Sequence, residues 1–308
     1  MTTTVLVPLD GSDRDEWALP AATALAELAD GGLHLIRVLD TPIDSLPPRA
    51  VTFGAREWAR DTRREMEQSV RDVADRLTTS TGRSVTAEVA ESFDVAEVLV
   101  DRASHAGLVV MATRAAGPLV RALRGGSVAD RVMRESPNPV LLVPPLAENR
   151  VSRHVRFGRV LVPLDGSALA LAAIDHLLSL KHARDLEYVL LEVVTAGVIP
   201  EWVGDTPALQ PYGGSPDFAQ ARVDAERRLD NVASRLRAAG VKDVRIRVTE
   251  GPDPALAITR VVQAENADLI AMSTRGADGV KRLVLGSVAE KLLQESDVPL
   301  LLVTHDGG

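Results

Sequence analysis

Two segments of the chain carry residues that could bind a phosphorylated small molecule. Asp165 lies in Pro163-Leu164-Asp165-Gly166-Ser167, where its carboxylate could accept from a ribose hydroxyl, contact Mg²⁺, or simply cap the next helix, as Ser167 also could. Ser273-Thr274-Arg275-Gly276 is followed by nine residues and then by Gly286-Ser287. Glycines let a backbone approach a bulky anion, and the amides at a helix start favour phosphate. An ordinary glycine-rich turn capped by Ser287 is the alternative interpretation.

Weaker signals accompany these segments. The backbone around Val193, in the apolar segment Glu192-Val193-Val194, could read an adenine edge, although the same pattern fits any buried strand end. Arg114 and Arg275 each follow a threonine at matching places. They could neutralise phosphate charge or lie solvated on a loop.

Several catalytic and nucleotide-binding signatures are absent from the sequence. It contains no G-x-x-x-x-G-K-[ST], G-x-G-x-x-G, H-E-x-x-H or G-x-S-x-G motif, and its six histidines lack ligand spacing. There is no cysteine, which excludes disulfides and thiolate metal sites. Without a nucleophile pair, general base or metal cluster, the sequence favours a binding protein over a fast enzyme.

Composition narrows the classes of partner. The 308 residues carry a net charge of −8, which disfavours nucleic-acid and anionic-membrane binding. No apolar run reaches the roughly 18 residues that span a bilayer. The N-terminus shows no secretory signal pattern. We therefore expect a cytoplasmic protein with no nucleic-acid or membrane partner.

The chain repeats itself once. Val5-Leu6-Val7-Pro8-Leu9-Asp10-Gly11-Ser12 returns 155 residues later as Val160 to Ser167, with all eight residues identical. Met111-Ala112-Thr113-Arg114 returns as Met272-Ser273-Thr274-Arg275, and Gly126-Ser127-Val128-Ala129 as Gly286-Ser287-Val288-Ala289. A repeat this long indicates a duplicated domain. We predict one domain at residues 1–145, a second at 157–308, and a linker at 146–156.

Each half alternates predicted strands and helices, which predicts an α/β fold with βαβ units. The runs at 108–111 and 140–143 are continuously apolar, as expected for strands covered on both faces. The expected architecture is therefore a five-stranded parallel sheet with helices on both faces, present twice and Rossmann-like. The predicted strands lie at 4–9, 33–39, 84–90, 107–112 and 139–143, and near 159–164, 186–194, 244–249, 268–273 and 299–303.

The last strand of each half needs a neighbour if it lies at a sheet edge, because its backbone groups would otherwise stay unpaired. Pairing of strand 139–143 with strand 299–303 would satisfy both. The sequence thus predicts an intrachain pseudo-dimer. It leaves open whether two chains form a further homodimer.

Together these segments resemble the universal stress protein family in its tandem, actinobacterial form. The marker is G-x-x-G, nine residues and G-[ST] after the fourth strand, joined by V-P-x-D-G-S on the first strand and by the P-V-L-x-V ending. The resemblance covers nearly the whole chain. It implies the adenine nucleotide alpha hydrolase-like fold, pairing through the fifth strands, and binding of ATP with or without Mg²⁺.

Binding residues follow from the resemblance. Ribose and adenine would contact Pro163, Leu164, Asp165 and Val193, and the phosphates would contact Met272, Ser273, Gly276, Gly286, Ser287 and Val288, with Arg275 adding charge. Asp165 is the candidate Mg²⁺ contact. Weaker counterparts in the first half are Pro8, Leu9, Asp10, Val38, Met111, Gly126, Ser127 and Val128.

The halves depart unequally from the family motif. In the second half, only Ser273 replaces a glycine. In the first half, Ala112 and Ala115 replace both early glycines, and ten residues instead of nine precede Gly126. We therefore predict that the N-terminal site is weaker or empty.

The leading hypothesis is an ATP-binding stress-response regulator that acts mainly through its C-terminal domain and on an unknown protein partner. A slow nucleotide hydrolase or phosphotransferase is one alternative, since Asp165 could help to hold Mg²⁺. An interaction module that binds no nucleotide is another, which the altered glycines of the first half favour. ADP, AMP or a cyclic nucleotide would use similar contacts.

Overall fold

The fold is taken from a computed structural model. It describes residues 3–12, 15–40, 53–113, 128–144, 155–195, 198–203, 206–211, 216–276 and 283–304.

Strands and helices alternate through both halves of the described chain. In the first half the elements are β1 (Thr4–Pro8), α1 (Asp15–Ala29), β2 (Gly32–Leu39), α2 (Phe53–Thr81), β3 (Val85–Glu91), α3 (Val95–His105), β4 (Leu108–Ala112), α4 (Val128–Glu135) and β5 (Val140–Val143). In the second half they are β6 (Arg159–Leu164), α5 (Ala172–Ser179), β7 (Glu187–Val194), β8 (Val198–Val203), β9 (Thr206–Pro211), α6 (Pro216–Ala238), β10 (Asp243–Glu250), α7 (Pro254–Glu265), β11 (Leu269–Gly276), β12 (Leu283–Val284), α8 (Ser287–Glu295) and β13 (Leu300–Thr304).

Both halves build the same parallel sheet. The described strands of the first half lie in the order β3-β2-β1-β4-β5, and those of the second in the order β10-β7-β6-β11-β13. All strand pairs within these two sets are parallel. The chain reverses its direction of travel across the sheet between β1 and β4, and again between β6 and β11. The predicted fold class is therefore confirmed, and each half has one topological switch point, where open α/β sheets bind ligands.

The two sheets join through their fifth strands. β5 and β13 pair antiparallel, with Leu141 opposite Leu301, and this makes one continuous sheet. Both leucines are completely buried. A second contact links the halves on one face, where the His182 amide donates to the Leu28 carbonyl at 2.9 Å. The predicted pairing of the fifth strands is confirmed, and it removes an exposed edge from each half.

Helices cover both faces of the sheet because alternate residues of each strand point to opposite sides. Val5 and Val7 of β1 pack in one buried cluster with α1, α2, α5 and α6. Leu6 of the same strand packs in the other with α3, α4, α7 and α8. This double burial explains the continuously apolar strands, and the few aromatic residues leave Val, Leu, Ile and Ala to fill both layers.

Three features differ from the sequence expectations or lie beyond them. Residues 198–203 and 206–211 form a two-stranded antiparallel hairpin that the sequence did not predict, because Pro200 and Pro207 interrupt any strand pattern. β11 continues to Gly276 and folds back onto β12, instead of ending near 273. The proposed linker lies almost wholly outside the described residues, so its bounds stay a prediction.

None of the described helices combines the length and apolar character needed to cross a membrane.

Candidate functional site

A cleft of about 530 Å³ opens at the carboxyl ends of β6, β7 and β11 in the second half. This position is the switch point of the C-terminal sheet, and the volume lies within the range of small-molecule sites. The lining residues are Pro163, Leu164, Asp165, Ser167, Leu169, Ala170, Leu191, Glu192, Val193, Thr195, Pro254, Ile258, Met272, Ser273, Gly286, Ser287, Val288 and Ala289. Nine of the eleven residues predicted for the C-terminal site therefore meet at one cleft.

The loop after β6 holds Asp165 at the rim of the cleft. Gly166 turns the chain with a φ of +79°, which favours glycine. The Ser167 amide donates to Oδ1 of Asp165 at 2.9 Å, and the Ala170 amide donates to Oγ of Ser167 at 3.2 Å. Both side chains thus accept from backbone amides within this segment, and both residues line the cleft.

The end of β7 adds a buried charge to the cleft. Glu192 is 7 % exposed, and both of its carboxylate oxygens accept from the Arg228 guanidinium on α6. Hydrogen bonding to Glu192 raises the pKa of Arg228 above its usual range. The same guanidinium packs against Gly166, so it joins the ends of β6 and β7. Val193, the predicted adenine contact, follows directly on the strand.

The N-terminus of α8 also lines the cleft. Gly286 is the N-cap residue, and no side-chain hydrogen bond caps this helix end. Ser287 and Val288 begin the helix, and Met272 and Ser273 reach the cleft from β11. Because a helix start concentrates amide hydrogens and positive dipole, this end of the cleft suits an anionic group.

Gly286 has room for a side chain. Its φ is −75°, an angle open to any residue, and a Cβ at this position would meet nothing within 4 Å. The fold of the described chain therefore does not itself demand glycine here. A requirement for a bare backbone beside a bound group would explain the residue.

Arg275 and Gly276 follow on β11, where they pair with Val284 and Leu283 of β12. The side chain of Arg275 lies outside the described part of the chain. Residues 277–282 of the predicted phosphate turn also lie outside it.

Helix α7 contributes two lining residues that the sequence analysis did not single out, Pro254 and Ile258. They are spaced by one helical turn, so they share a face, and this spacing was the available signal. Asp253 caps α7 by accepting from the Leu256 amide at 3.3 Å and also pairs with Lys291 of α8. The lysine lowers the pKa of Asp253, and the pair fixes α7 against the helix that begins at the cleft.

No group of three or more His, Asp or Glu residues within the described ranges could hold a metal ion. Asp165 alone would offer a carboxylate from the loop after β6. Any Mg²⁺ at the cleft would need further ligands from a bound group such as a polyphosphate.

The corresponding residues of the first half are only partly described. Pro8 is the last residue of β1, and Leu9 and Asp10 follow it. Val38 and Met111 are the next-to-last residues of β2 and β4, so all five lie at the matching edge of the N-terminal sheet. Val128 begins α4 and is 38 % exposed. Gly126 and Ser127 lie outside the described residues.

Comparisons with known proteins agree with this architecture. The sequence model of the universal stress protein family matches residues 1–144 and again 156–304. A universal stress protein of Mycolicibacterium smegmatis is 27 % identical over 303 residues, which covers 97 % of this chain and 96 % of that protein. One of Mycobacterium tuberculosis is 26 % identical over 300 residues, covering 97 % and 95 %.

A solved structure shares the arrangement of both halves. The crystal structure of a universal stress protein from Archaeoglobus fulgidus superposes with a TM-score of 0.66 at 19 % identity, and the match covers 98 % of each chain. At that identity the likeness shows the fold. The two family matches together span almost the entire sequence, and the chain therefore belongs to the universal stress protein family.

Proposed function

We propose that the C-terminal half binds ATP and that the protein acts as a nucleotide-dependent regulator in the stress response, through a protein partner still to be identified. The observation that supports this most directly is the convergence of Asp165, Val193, Ser273, Gly286 and Ser287 on one cleft. These residues come from four separate segments of the chain. The sequence predicts each of them as a nucleotide contact.

The polarity of the cleft fits a nucleotide. Its lining includes the uncapped start of α8, which suits phosphates, and the Asp165 carboxylate, which suits ribose hydroxyls. Apolar residues including Leu164, Ile258 and Met272 also line it and suit packing against an adenine ring. Mg²⁺ would be held jointly by the phosphates and Asp165.

Substitution at Gly286 tests the binding site. Gly286→Glu places a carboxylate at the helix start, where it repels phosphate, and its Cβ would meet no described atom within 4 Å. We expect the affinity for ATP to fall at least tenfold, measured by isothermal titration calorimetry. Gly126→Glu, at the matching position of the first half, is the control and should change the affinity less than twofold.

Unchanged ATP affinity in Gly286→Glu would contradict binding at this cleft, and wild-type protein that binds no ATP would favour the interaction module. Mass spectrometry of the ligand released from freshly purified protein identifies the nucleotide itself. Slow hydrolysis is a separate question: phosphate release above background that Asp165→Ala abolishes would favour the hydrolase alternative.

A further inference from the structure

The loop after β1 is filled by a side chain of the protein itself. The Asp15 carboxylate at the start of α1 accepts from the Asp10 amide at 3.0 Å and from the Gly11 amide at 2.8 Å. Its two oxygens each take one amide. This is the geometry with which a backbone loop holds an anionic ligand, except that here the anion belongs to the chain.

The loop after β6 has the same backbone shape without that carboxylate. Gly11 and Gly166 have φ values of +81° and +79°, and in both loops the serine amide donates to the preceding aspartate at 2.9 Å. The repeat spacing of 155 residues places Ala170 at the position of Asp15. A methyl group accepts no hydrogen bond, and in the second half this methyl lines the cleft.

A charge reversal accompanies this difference. The strand registers align Pro8 with Ile36 in the first half and Pro163 with Leu191 in the second, so Arg37 and Glu192 occupy equivalent positions. In the first half the Arg37 guanidinium packs on Gly11, and in the second half the Arg228 side chain packs on Gly166. A guanidinium therefore lies against the loop glycine in both halves, and the carboxylate of Asp15 is what distinguishes the loop of the first half.

We propose that Asp15 is an internal ligand that keeps nucleotide out of the N-terminal half, and that position 15 or its equivalent 170 decides which half binds. Arg37 supports the carboxylate by its charge, since it opposes the rise in the pKa of Asp15 that burial causes. The part of this inference that concerns position 170 and the C-terminal half rests on the proposed ATP binding. It is distinct from the loss of glycine at positions 112 and 115, which is a feature of the sequence after the start of β4.

A reciprocal exchange tests the proposal. Ala170→Asp should weaken ATP binding at least tenfold, because the new carboxylate would take the amides of the loop after β6. Ala168→Asp adds the same charge at an exposed position outside the cleft lining and should change the affinity less than twofold. Ala170→Asn matches the size without the charge and should lose clearly less affinity than Ala170→Asp. Circular dichroism and thermal unfolding verify that each variant is folded.

The converse variant is Asp15→Ala in a Gly286→Glu background, where the C-terminal site is disabled. Equilibrium dialysis at millimolar ATP should detect binding that the Gly286→Glu protein lacks. The inference is overturned if Ala170→Asp binds ATP like wild type, if Ala170→Asn loses as much affinity as Ala170→Asp, or if the converse variant gains no binding.

The two proposals fail separately in these experiments. Wild-type protein that binds no ATP, together with Asp15→Ala protein that does, would remove the proposed C-terminal function and keep the inference. If Ala170→Asp binds ATP with wild-type affinity while Gly286→Glu shows the expected loss, the C-terminal function is kept and the inference is removed.

Discussion

The two halves of the chain share one backbone and differ in what fills the ends of their first two strands. In the first half Asp15 closes the loop after β1 and Arg37 packs on Gly11. In the second half Ala170 occupies the equivalent position and lines the cleft, and Arg228, which pairs with Glu192, packs on Gly166. Duplication thus preserved the sheet, whose core tolerates little change, while polar residues at its carboxyl edge diverged.

The largest expected effect concerns what the halves have in common, the junction of β5 and β13. Leu301→Ala should lower the free energy of unfolding by about 3 kcal/mol, because it leaves a cavity in a fully buried position. Leu141→Ala, its partner across the junction, should cost the same to within about 1 kcal/mol, since both sites lose the same buried methyl groups. Chemical denaturation of both variants measures the two losses in the free energy of unfolding. A large difference between them would contradict the pseudo-twofold symmetry of the core.

The next largest effect on stability concerns the Glu192–Arg228 pair, which belongs to the second half. Arg228→Ala leaves the buried Glu192 carboxylate without its guanidinium partner, and we expect a loss of about 2 kcal/mol in the free energy of unfolding. Arg227→Ala, one residue away with a mainly exposed side chain, should cost less than about 0.5 kcal/mol. Equal losses from the two variants would show that the Glu192–Arg228 pair stabilises the fold no more than an exposed ion pair does.

A pH-dependent effect on the free energy of unfolding should distinguish α5 of the second half from α1 of the first. Burial lowers the pKa of His176 to about 4, and its Nε2 atom has no hydrogen-bond partner in the described structure. The unfolded chain binds the proton near pH 6.5, so the stability conferred by the neutral ring is full above that pH and is lost as pH falls towards 4. The loss should be about 1–3 kcal/mol.

The first half has an alanine, Ala21, at the position equivalent to His176. His176→Ala should therefore remove this part of the dependence of stability on pH. His182, whose side chain is about half exposed, provides the control variant His182→Ala, which should keep the slope. Thermal unfolding between pH 4 and pH 7 measures both. A slope that survives in His176→Ala would assign the pH dependence to other groups.

Much of the architecture was predictable because it depends on local patterns. Continuous apolar runs such as 108–111 and 140–143 indicated doubly covered strands, and the 155-residue repeat indicated two copies of one fold. The candidate residues of the second half were predictable because parallel strands bring their carboxyl ends to one edge. The hairpin of β8 and β9 was missed, since its prolines break the alternation on which strand prediction depends.

The contribution of α7 to the cleft was not predictable from motifs. Pro254 and Ile258 reach it through the packing of one helix against the sheet, and no local signal marks that contact beyond their spacing by one turn. The pairing of Glu192 with Arg228 joins residues 36 positions apart on different elements. Such contacts depend on how elements pack, which sequence spacing does not report.

The sequence by itself determined the duplicated α/β fold, the order of its elements and the residues at the ends of its strands, because burial on both faces of a sheet imposes a pattern that local composition records. Only the tertiary structure showed that a side chain of the protein itself binds the loop amides of the first half. Asp15 and Ala170 look equally ordinary as residues near a helix start. Their difference becomes meaningful only where the folded chain brings the carboxylate of Asp15 onto the amides of Asp10 and Gly11.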